Sequence, residues 1–113
     1  MTEMKVNVLG TEYTIKVLSV TEDSFLEKAD GYCDKTTKEI VVKAEDKENE
    51  LGNYAEYMKK VKRHEIVHAF LFESGLQENF KHADEWGHEE TMVDWIAVQF
   101  PKMLVAFKEA DAL

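Results

Sequence analysis

Residues 53–75, which read NYAEYMKKVKRHEIVHAFLFESG, decide how this chain folds. Asn53 is a favourable N-cap, and Glu56 three residues later completes a pattern similar to a capping box. Gly75 is of the type that commonly follows the end of a helix. The apolar residues between these limits recur on one side of a helix and are Met58, Val61, Val67, Leu71 and Phe72. The stretch therefore predicts one long helix with one face against a core.

This helix carries the segment HEIVH at residues 64–68. Residues four apart lie on the same face of a helix, so the imidazoles of His64 and His68 can converge on one metal ion. Glu65 is offset by about 100° around the helix, from where it can reach a water held by that ion. Zinc lowers the pKa of such a water, and a carboxylate can take its proton and deliver it to a leaving amine. The sequence predicts a zinc site in which Glu65 is the catalytic base.

An accidental HExxH pattern is the alternative interpretation, with two solvated histidines beside a surface glutamate. The chain has 4 histidines and 16 glutamates among 113 residues, so the pattern is expected by chance about 0.02 times. Val61, Val67 and Leu71 also place this part of the helix against a core, where unpaired histidines are costly. Both arguments favour a metal site.

Two histidines leave the site incomplete, because catalytic zinc usually has three protein ligands and a water. The extended HExxHxxGxxH arrangement is excluded by Leu71 and Ser74. The later candidates are His82, Asp84, Glu85, His88, Glu89, Glu90 and Asp94. Glu90 and Asp94 stand four apart, so one can bind the metal while the other orients a ligand histidine. We expect Glu90 to be the third ligand, although Glu89 lies nearer the apolar stripe and stays an alternative.

The motif and its surroundings resemble the gluzincin class of zinc metallopeptidases. Residues 90–94, ETMVD, are similar to the thermolysin-type ExxxD pattern, in which the Glu binds zinc and the Asp supports a histidine. The small size, with Pro101 eleven residues after Glu90, also resembles the ImmA/IrrE group of phage and mobile-element regulation. The resemblance covers residues 53–101. It implies a minimal zincin-like fold and a strand-edged cleft, with Glu39–Lys43 as the strand that holds an extended peptide.

The residues before the long helix alternate between apolar and polar, as in strands. Val6 and Val8 precede a predicted turn at Gly10-Thr11, and Tyr13 and Ile15 follow it, which predicts a hairpin. A second hairpin is predicted from Gly31–Cys33 and Glu39–Lys43, joined by the polar turn at residues 34–37.

A second long helix is predicted after a polar connection at residues 76–87. It begins near His88, and Ile96, Phe100 and Phe107 continue its apolar face. Pro101 either kinks this helix or starts a separate one, because proline lacks a backbone donor. The whole chain, residues 1–113, is predicted to be one α+β domain of two antiparallel hairpins followed by two long helices.

Charge and cysteine content restrict the partners. The net charge of −9 argues against nucleic acid and against an anionic membrane surface, since both bind basic proteins. Lys59, Lys60, Lys62 and Arg63 are therefore interpreted as a solvated helix face. Cys33 is the only cysteine, and no signal or membrane-spanning pattern is present, so we expect a cytoplasmic protein.

Together these features predict zinc-dependent hydrolysis of peptide bonds in a peptide or protein substrate. His82, His88 or Tyr32 could stabilise the oxyanion of the reaction. The alternative function is a metal-binding regulatory or interaction module that does not catalyse hydrolysis. The intact Glu65 favours the enzyme, because a structural metal site needs no base beside its ligands. The oligomeric state stays open.

Overall fold

A computed structural model describes residues 2–46, 51–76 and 90–113. The elements in chain order are β1 (Thr2–Val8), β2 (Thr11–Leu18), a 3-10 turn (Ser24–Glu27), β3 (Gly31–Asp34), β4 (Glu39–Lys43), α1 (Tyr54–Glu73) and α2 (Glu90–Glu109). The strands form one sheet in the order β1-β2-β4-β3. The predicted α+β class, with strands before helices, is confirmed.

The first hairpin pairs β1 and β2 antiparallel, with Val6 opposite Tyr13 and Val8 opposite Thr11. The two residues between the strands, Leu9 and Gly10, have φ of 53° and 93°. Positive φ at both positions is the pattern of a type I′ turn, whose twist matches that of the flanking strands. The turn therefore lies one residue earlier than the predicted Gly10-Thr11, because Thr11 already belongs to β2.

The second hairpin joins the first through β4, which pairs with β2. β3 and β4 are antiparallel, as predicted, whereas β4 runs parallel to β2 with Ile40 opposite Ile15. The prediction that Glu39–Lys43 holds an extended peptide is wrong, because β4 has a neighbouring strand on both sides and offers no free backbone edge. Among the described strands, β3 is the outer strand on this side of the sheet.

The core lies between one face of the sheet and the two helices. Alternate strand residues point to this face, and α1 meets it with the two rows of residues 61–65–69 and 62–66–70. The principal apolar members are Val6, Val8, Tyr13, Ile15, Ile40, Val42, Val61, Ile66, Ala69, Phe70, Met103, Ala106 and Phe107. The next row of α1, residues 64–68–72, lies beside this buried face and next to the sheet edge.

Helix α2 packs antiparallel to α1. Trp95, near its start, donates a hydrogen bond from Nε1 to Ser74 Oγ at 2.9 Å, just after the end of α1. Lys62, in the first half of α1, reaches Ala110 beyond the end of α2. Helix α2 is continuous through Pro101, so this proline does not start a separate helix. Neither helix of the described part of the chain is both long and apolar enough to cross a membrane.

Two of the basic residues on α1 bind backbone carbonyls just beyond the C-terminal end of α2. Lys62 Nζ donates to the carbonyl of Ala110 at 3.3 Å, and Arg63 Nη1 donates to the carbonyl of Ala112 at 2.7 Å. Cations are favourable there because the last carbonyls of a helix lack partners within it. The predicted solvated face is therefore wrong for Lys62, which is only 7% exposed, and for Arg63.

Candidate metal centre

The two histidines of the motif face each other across one turn of α1. The Nε2 atoms of His64 and His68 lie 3.2 Å apart, and the ring centroids are separated by 4.8 Å. His64 is exposed and His68 is half-buried. The cluster is therefore open to solvent at His64 and bounded by protein at His68.

The separation of the two nitrogens suits a zinc ion. Zinc–nitrogen bonds are about 2.0–2.1 Å long, so nitrogens at the observed spacing subtend about 100° at an ion bonded to both, near the tetrahedral angle. Glu65 completes the cluster, because one ligand atom from each of the three residues lies within 4.8 Å of the others. Imidazole is a donor type that zinc prefers, and a carboxylate at this distance can reach a water on the ion. The residues present therefore fit a zinc ion.

Glu65 is buried where α1 meets the edge strand. The residue is only 7% exposed, and no donor in the described residues hydrogen-bonds its carboxylate. Burial raises its pKa, and the nearby His64 opposes that rise. Partial removal of a carboxylate from water is costly, and a cation or a proton compensates that cost. This environment differs from that of a solvated surface glutamate.

Gly31 on β3 lets α1 approach closely enough to bring Glu65 to this position. A Cβ on Gly31 would lie 2.8 Å from the carbonyl oxygen of Val41, 3.0 Å from Val61 Cγ1 and 3.5 Å from Glu65 Cγ. The first two distances are shorter than ordinary van der Waals contacts. Sequence reasoning missed this role, because the contacts of Gly31 with α1 join residues thirty or more apart and leave no local pattern.

His68 is held by aromatic packing on its other side. The Phe72 ring lies 6.4 Å from the His68 ring at an interplanar angle of 24°, so the two rings are stacked. Burial lowers the pKa of His68, and the neighbouring His64 lowers it further. Both effects favour the neutral imidazole, which is the form that coordinates metal ions.

Two cavities follow the edge strand on either side of the histidines. One of about 260 Å³ is bounded by Gly31, His64 and Glu65, among other residues. The other, of about 600 Å³, is bounded by the rings of Phe25, Tyr32 and Phe72 and by residues 33–36. His64 and Glu65 therefore border the smaller cavity, and Phe72, which stacks on His68, borders the larger one.

The predicted third ligand stays a prediction. Glu90 and Asp94 belong to the first two turns of α2, but their side chains lie outside the described part of the structure. Trp95 lies beside Ser74, just after the end of α1. Glu90 precedes Trp95 by five residues, so the Glu90 backbone lies about 7 Å farther along α2 and away from the histidines. Of the three predicted ligands, Glu90 would therefore have to span the longest distance to a metal ion held by His64 and His68. The remaining candidates lie outside the described residues and are His82, Asp84, Glu85, His88 and Glu89.

Tyr32 was one of the three candidates for stabilising an oxyanion. Its hydroxyl donates a short hydrogen bond to Asp23 Oδ2, and burial together with this carboxylate raises its pKa to about 12. Its proton is therefore already engaged by Asp23. The other two candidates, His82 and His88, lie outside the described residues.

Comparisons with known proteins identified no relative of this chain. No protein-family model, curated protein or solved structure matches the chain. The resemblance to gluzincins and to the ImmA/IrrE group therefore depends on the residues of the motif alone.

Proposed function

We propose that this protein is a zinc-dependent peptide hydrolase whose metal is held by His64 and His68 and whose general base is Glu65. The observation that carries the proposal is the 3.2 Å separation of the two Nε2 atoms, with a carboxylate oxygen of Glu65 inside the same 4.8 Å cluster. A metal site that serves structure alone needs two more ligands and no neighbouring base.

Each residue has a separate task in this proposal. Zinc, when bound, supplies Lewis acidity that polarises a peptide carbonyl and lowers the pKa of a water. Glu65 accepts a proton from the attacking water and then donates it to the amine that leaves, so that the carboxylate is regenerated at the end of the cycle. Its burial against Gly31 restricts its side chain, which favours a fixed position for proton transfer.

We propose Glu90 as the third ligand and Asp94 as the residue that orients a ligand histidine. Two features of the sequence support this assignment: the spacing of four between the two carboxylates and the resemblance to the ExxxD pattern. The substrate is proposed to be a peptide or protein. The single cysteine of the chain supports a reducing compartment, so we propose the cytoplasm as the site of action.

The decisive experiment separates metal binding from catalysis. Glu65→Gln is expected to retain about one zinc per chain while lowering hydrolysis of a fluorogenic peptide mixture at least 10²-fold, because the amide cannot accept the proton. Glu56→Gln is the matched control, since Glu56 is an exposed carboxylate on the same helix. Zinc content by elemental analysis accompanies each rate measurement.

Three results would count against the proposal. Wild-type protein that neither carries zinc nor takes it up on titration would contradict the metal site. Equal rates for wild type and Glu65→Gln would contradict the role of Glu65. Zinc binding without hydrolysis of any peptide would favour the alternative function, a non-catalytic regulatory or interaction module.

A further inference from the structure

Among the described residues, none fixes the His68 ring by the kind of hydrogen bond that usually orients a metal-binding histidine. Such a histidine commonly donates its second ring N–H to a carboxylate, a carbonyl or a water. In the described part of the chain, the His68 ring has one hydrogen-bonding partner, the Nε2 atom of His64 at 3.2 Å. His64 is itself a proposed ligand of the same ion, and Asp94 can orient only one of the two histidines. The other imidazole therefore depends on packing for its orientation.

Phe72 supplies a packing contact of this kind. It lies one helical turn after His68 on the same face of α1, where residues four apart are neighbours. The two rings are nearly parallel, with an interplanar angle of 24° and a centroid separation of 6.4 Å, which is within the range of offset-stacked pairs. Rotation of an imidazole about χ2 is soft, with two broad minima. A nearly parallel neighbour therefore favours one ring orientation over the others.

Lys35 contacts Phe72 from the turn between β3 and β4. Its Nζ atom lies 5.2 Å from the centroid of the Phe72 ring, within the distance of about 6 Å at which an aromatic ring attracts an ammonium group. This turn is distant from α1 in sequence, so the contact depends on how the helix packs on the sheet. An ammonium group, a phenyl ring and an imidazole thus form a series of contacts from the turn to the metal cluster.

The turn between β3 and β4 is itself anchored. Asp34 Oδ1 accepts hydrogen bonds from the amide and the hydroxyl of Thr36, which hold the backbone of the turn locally. Lys38 Nζ lies 2.9 Å from Glu73 Oε2, and the same carboxylate accepts a hydrogen bond from the hydroxyl of Tyr13 at 2.8 Å. Two successive residues at the end of α1 therefore contact lysines of this turn.

We propose that Phe72 is the positioning residue for the metal ligand His68, and that the β3–β4 turn holds Phe72 in place through Lys35. The inference rests on the proposed function, because it treats His68 as a zinc ligand. It assigns to an aromatic ring the task that a carboxylate or a carbonyl usually has beside a ligand histidine. Zinc affinity should therefore depend on Phe72 and Lys35, although neither side chain binds the metal.

Zinc affinity, measured by competition with a chromogenic chelator, tests this inference. Phe72→Leu keeps an apolar side chain but removes the flat ring, and it should weaken zinc binding at least about tenfold, the lower limit for groups that orient a ligand histidine. Phe72→Tyr retains the ring and should bind zinc as the wild type does. Lys35→Met removes the ammonium group and should weaken binding about 2–5-fold, as the loss of an exposed cation–π contact predicts.

A control variant and a second metal separate positioning from packing. Phe25→Leu is the matched control, because Phe25 borders the same cavity as Phe72 but packs on Tyr32, so its zinc affinity should equal that of the wild type. The visible absorption of Co²⁺ bound in place of zinc depends on coordination geometry, so Phe72→Leu should change this spectrum even at saturating Co²⁺. Lys35→Met alters only an exposed side chain of the turn, so it tests the inference even if Phe72→Leu does not fold.

The outcomes distinguish this inference from the proposed function. Zinc affinity that falls in Phe72→Leu and recovers in Phe72→Tyr, with no peptide hydrolysis by the wild type, would support the positioning role and contradict the catalytic proposal. Unchanged zinc affinity in Phe72→Leu, or an equal loss in Phe25→Leu, would overturn the positioning role, whatever the hydrolytic activity. Unchanged affinity in Lys35→Met would overturn the role of the turn. A wild type that binds no zinc would overturn both the inference and the proposed function.

Discussion

Replacement of His64 by Ala should remove the stabilisation that zinc provides while leaving the metal-free protein nearly unchanged. His64 is exposed, and within the described residues its ring contacts that of His68. Substitutions at such positions usually change the free energy of unfolding by less than about 0.5 kcal/mol. A loss that appears only when zinc is present therefore reports coordination rather than packing.

The size of the zinc effect follows from linkage. Free zinc at 100 times its dissociation constant stabilises the folded state by about 2.7 kcal/mol. The entropy of unfolding, about 2.1 cal/mol/K per residue near 60 °C, amounts to about 0.24 kcal/mol/K for a chain of this length. The wild-type Tm should therefore rise by about 11 °C on addition of zinc, and the Tm of His64→Ala by far less.

His68→Ala should lose the same zinc response but should also lower the Tm of the metal-free protein. Its ring is half-buried and stacks on Phe72. Aromatic pairs of this kind contribute about 0.5–1.5 kcal/mol, equivalent to about 2–6 °C here. Both variants should thus lose the zinc-dependent rise in Tm, but only His68→Ala should clearly lower the Tm of the metal-free protein.

Thermal unfolding in zinc-buffered solution is the assay, with Glu56→Gln as a control that should respond as the wild type does. Elemental analysis of the same samples gives the bound zinc. The reasoning is refuted if His64→Ala retains a wild-type rise in Tm, or if the wild type shows no rise at saturating zinc. A Tm that falls equally with and without zinc would show that His64 acts only in packing.

Glu90→Ala should weaken zinc binding severely, Asp94→Ala about 10–100-fold and Glu89→Ala little; competition with a chromogenic chelator measures this order, and a larger loss for Glu89→Ala than for Glu90→Ala would contradict the ligand assignment. The Cys33 thiol should react with Ellman's reagent at pH 8 at least about 100 times more slowly in the folded protein than in urea, because burial and the nearby Glu65 raise its pKa to about 12. Equal reaction rates in the folded protein and in urea would contradict the burial of the Cys33 thiol. Gly31→Ala should lower the free energy of unfolding by about 1–3 kcal/mol, since its Cβ would meet the Val41 carbonyl at 2.8 Å. An unchanged urea midpoint would contradict that close approach.

The sequence by itself determined the features that depend on local periodicity. Asn53 accepts a hydrogen bond from the amide of Glu56, and Gly75 has the positive φ of a helix stop, so α1 lies where the pattern predicted. The pairing of His64 with His68 is equally local, because helical geometry alone places residues four apart on one face. Strand alternation likewise predicted both hairpins and, with the helices, the α+β class.

Tertiary structure decided which of these elements meet. The order of the sheet made β4 an inner strand and β3 the edge, although Glu39–Lys43 was the predicted peptide-binding strand. Lys62 belongs to a run of charged residues that predicted a solvated face, yet it is buried against the carbonyl of Ala110, 48 residues away. Gly31 became important only because α1 packs on it and thereby brings Glu65 to the cavity beside His64. Contacts between distant residues depend on packing and chain topology, whereas a local pattern carries only the geometry of a single helix or strand.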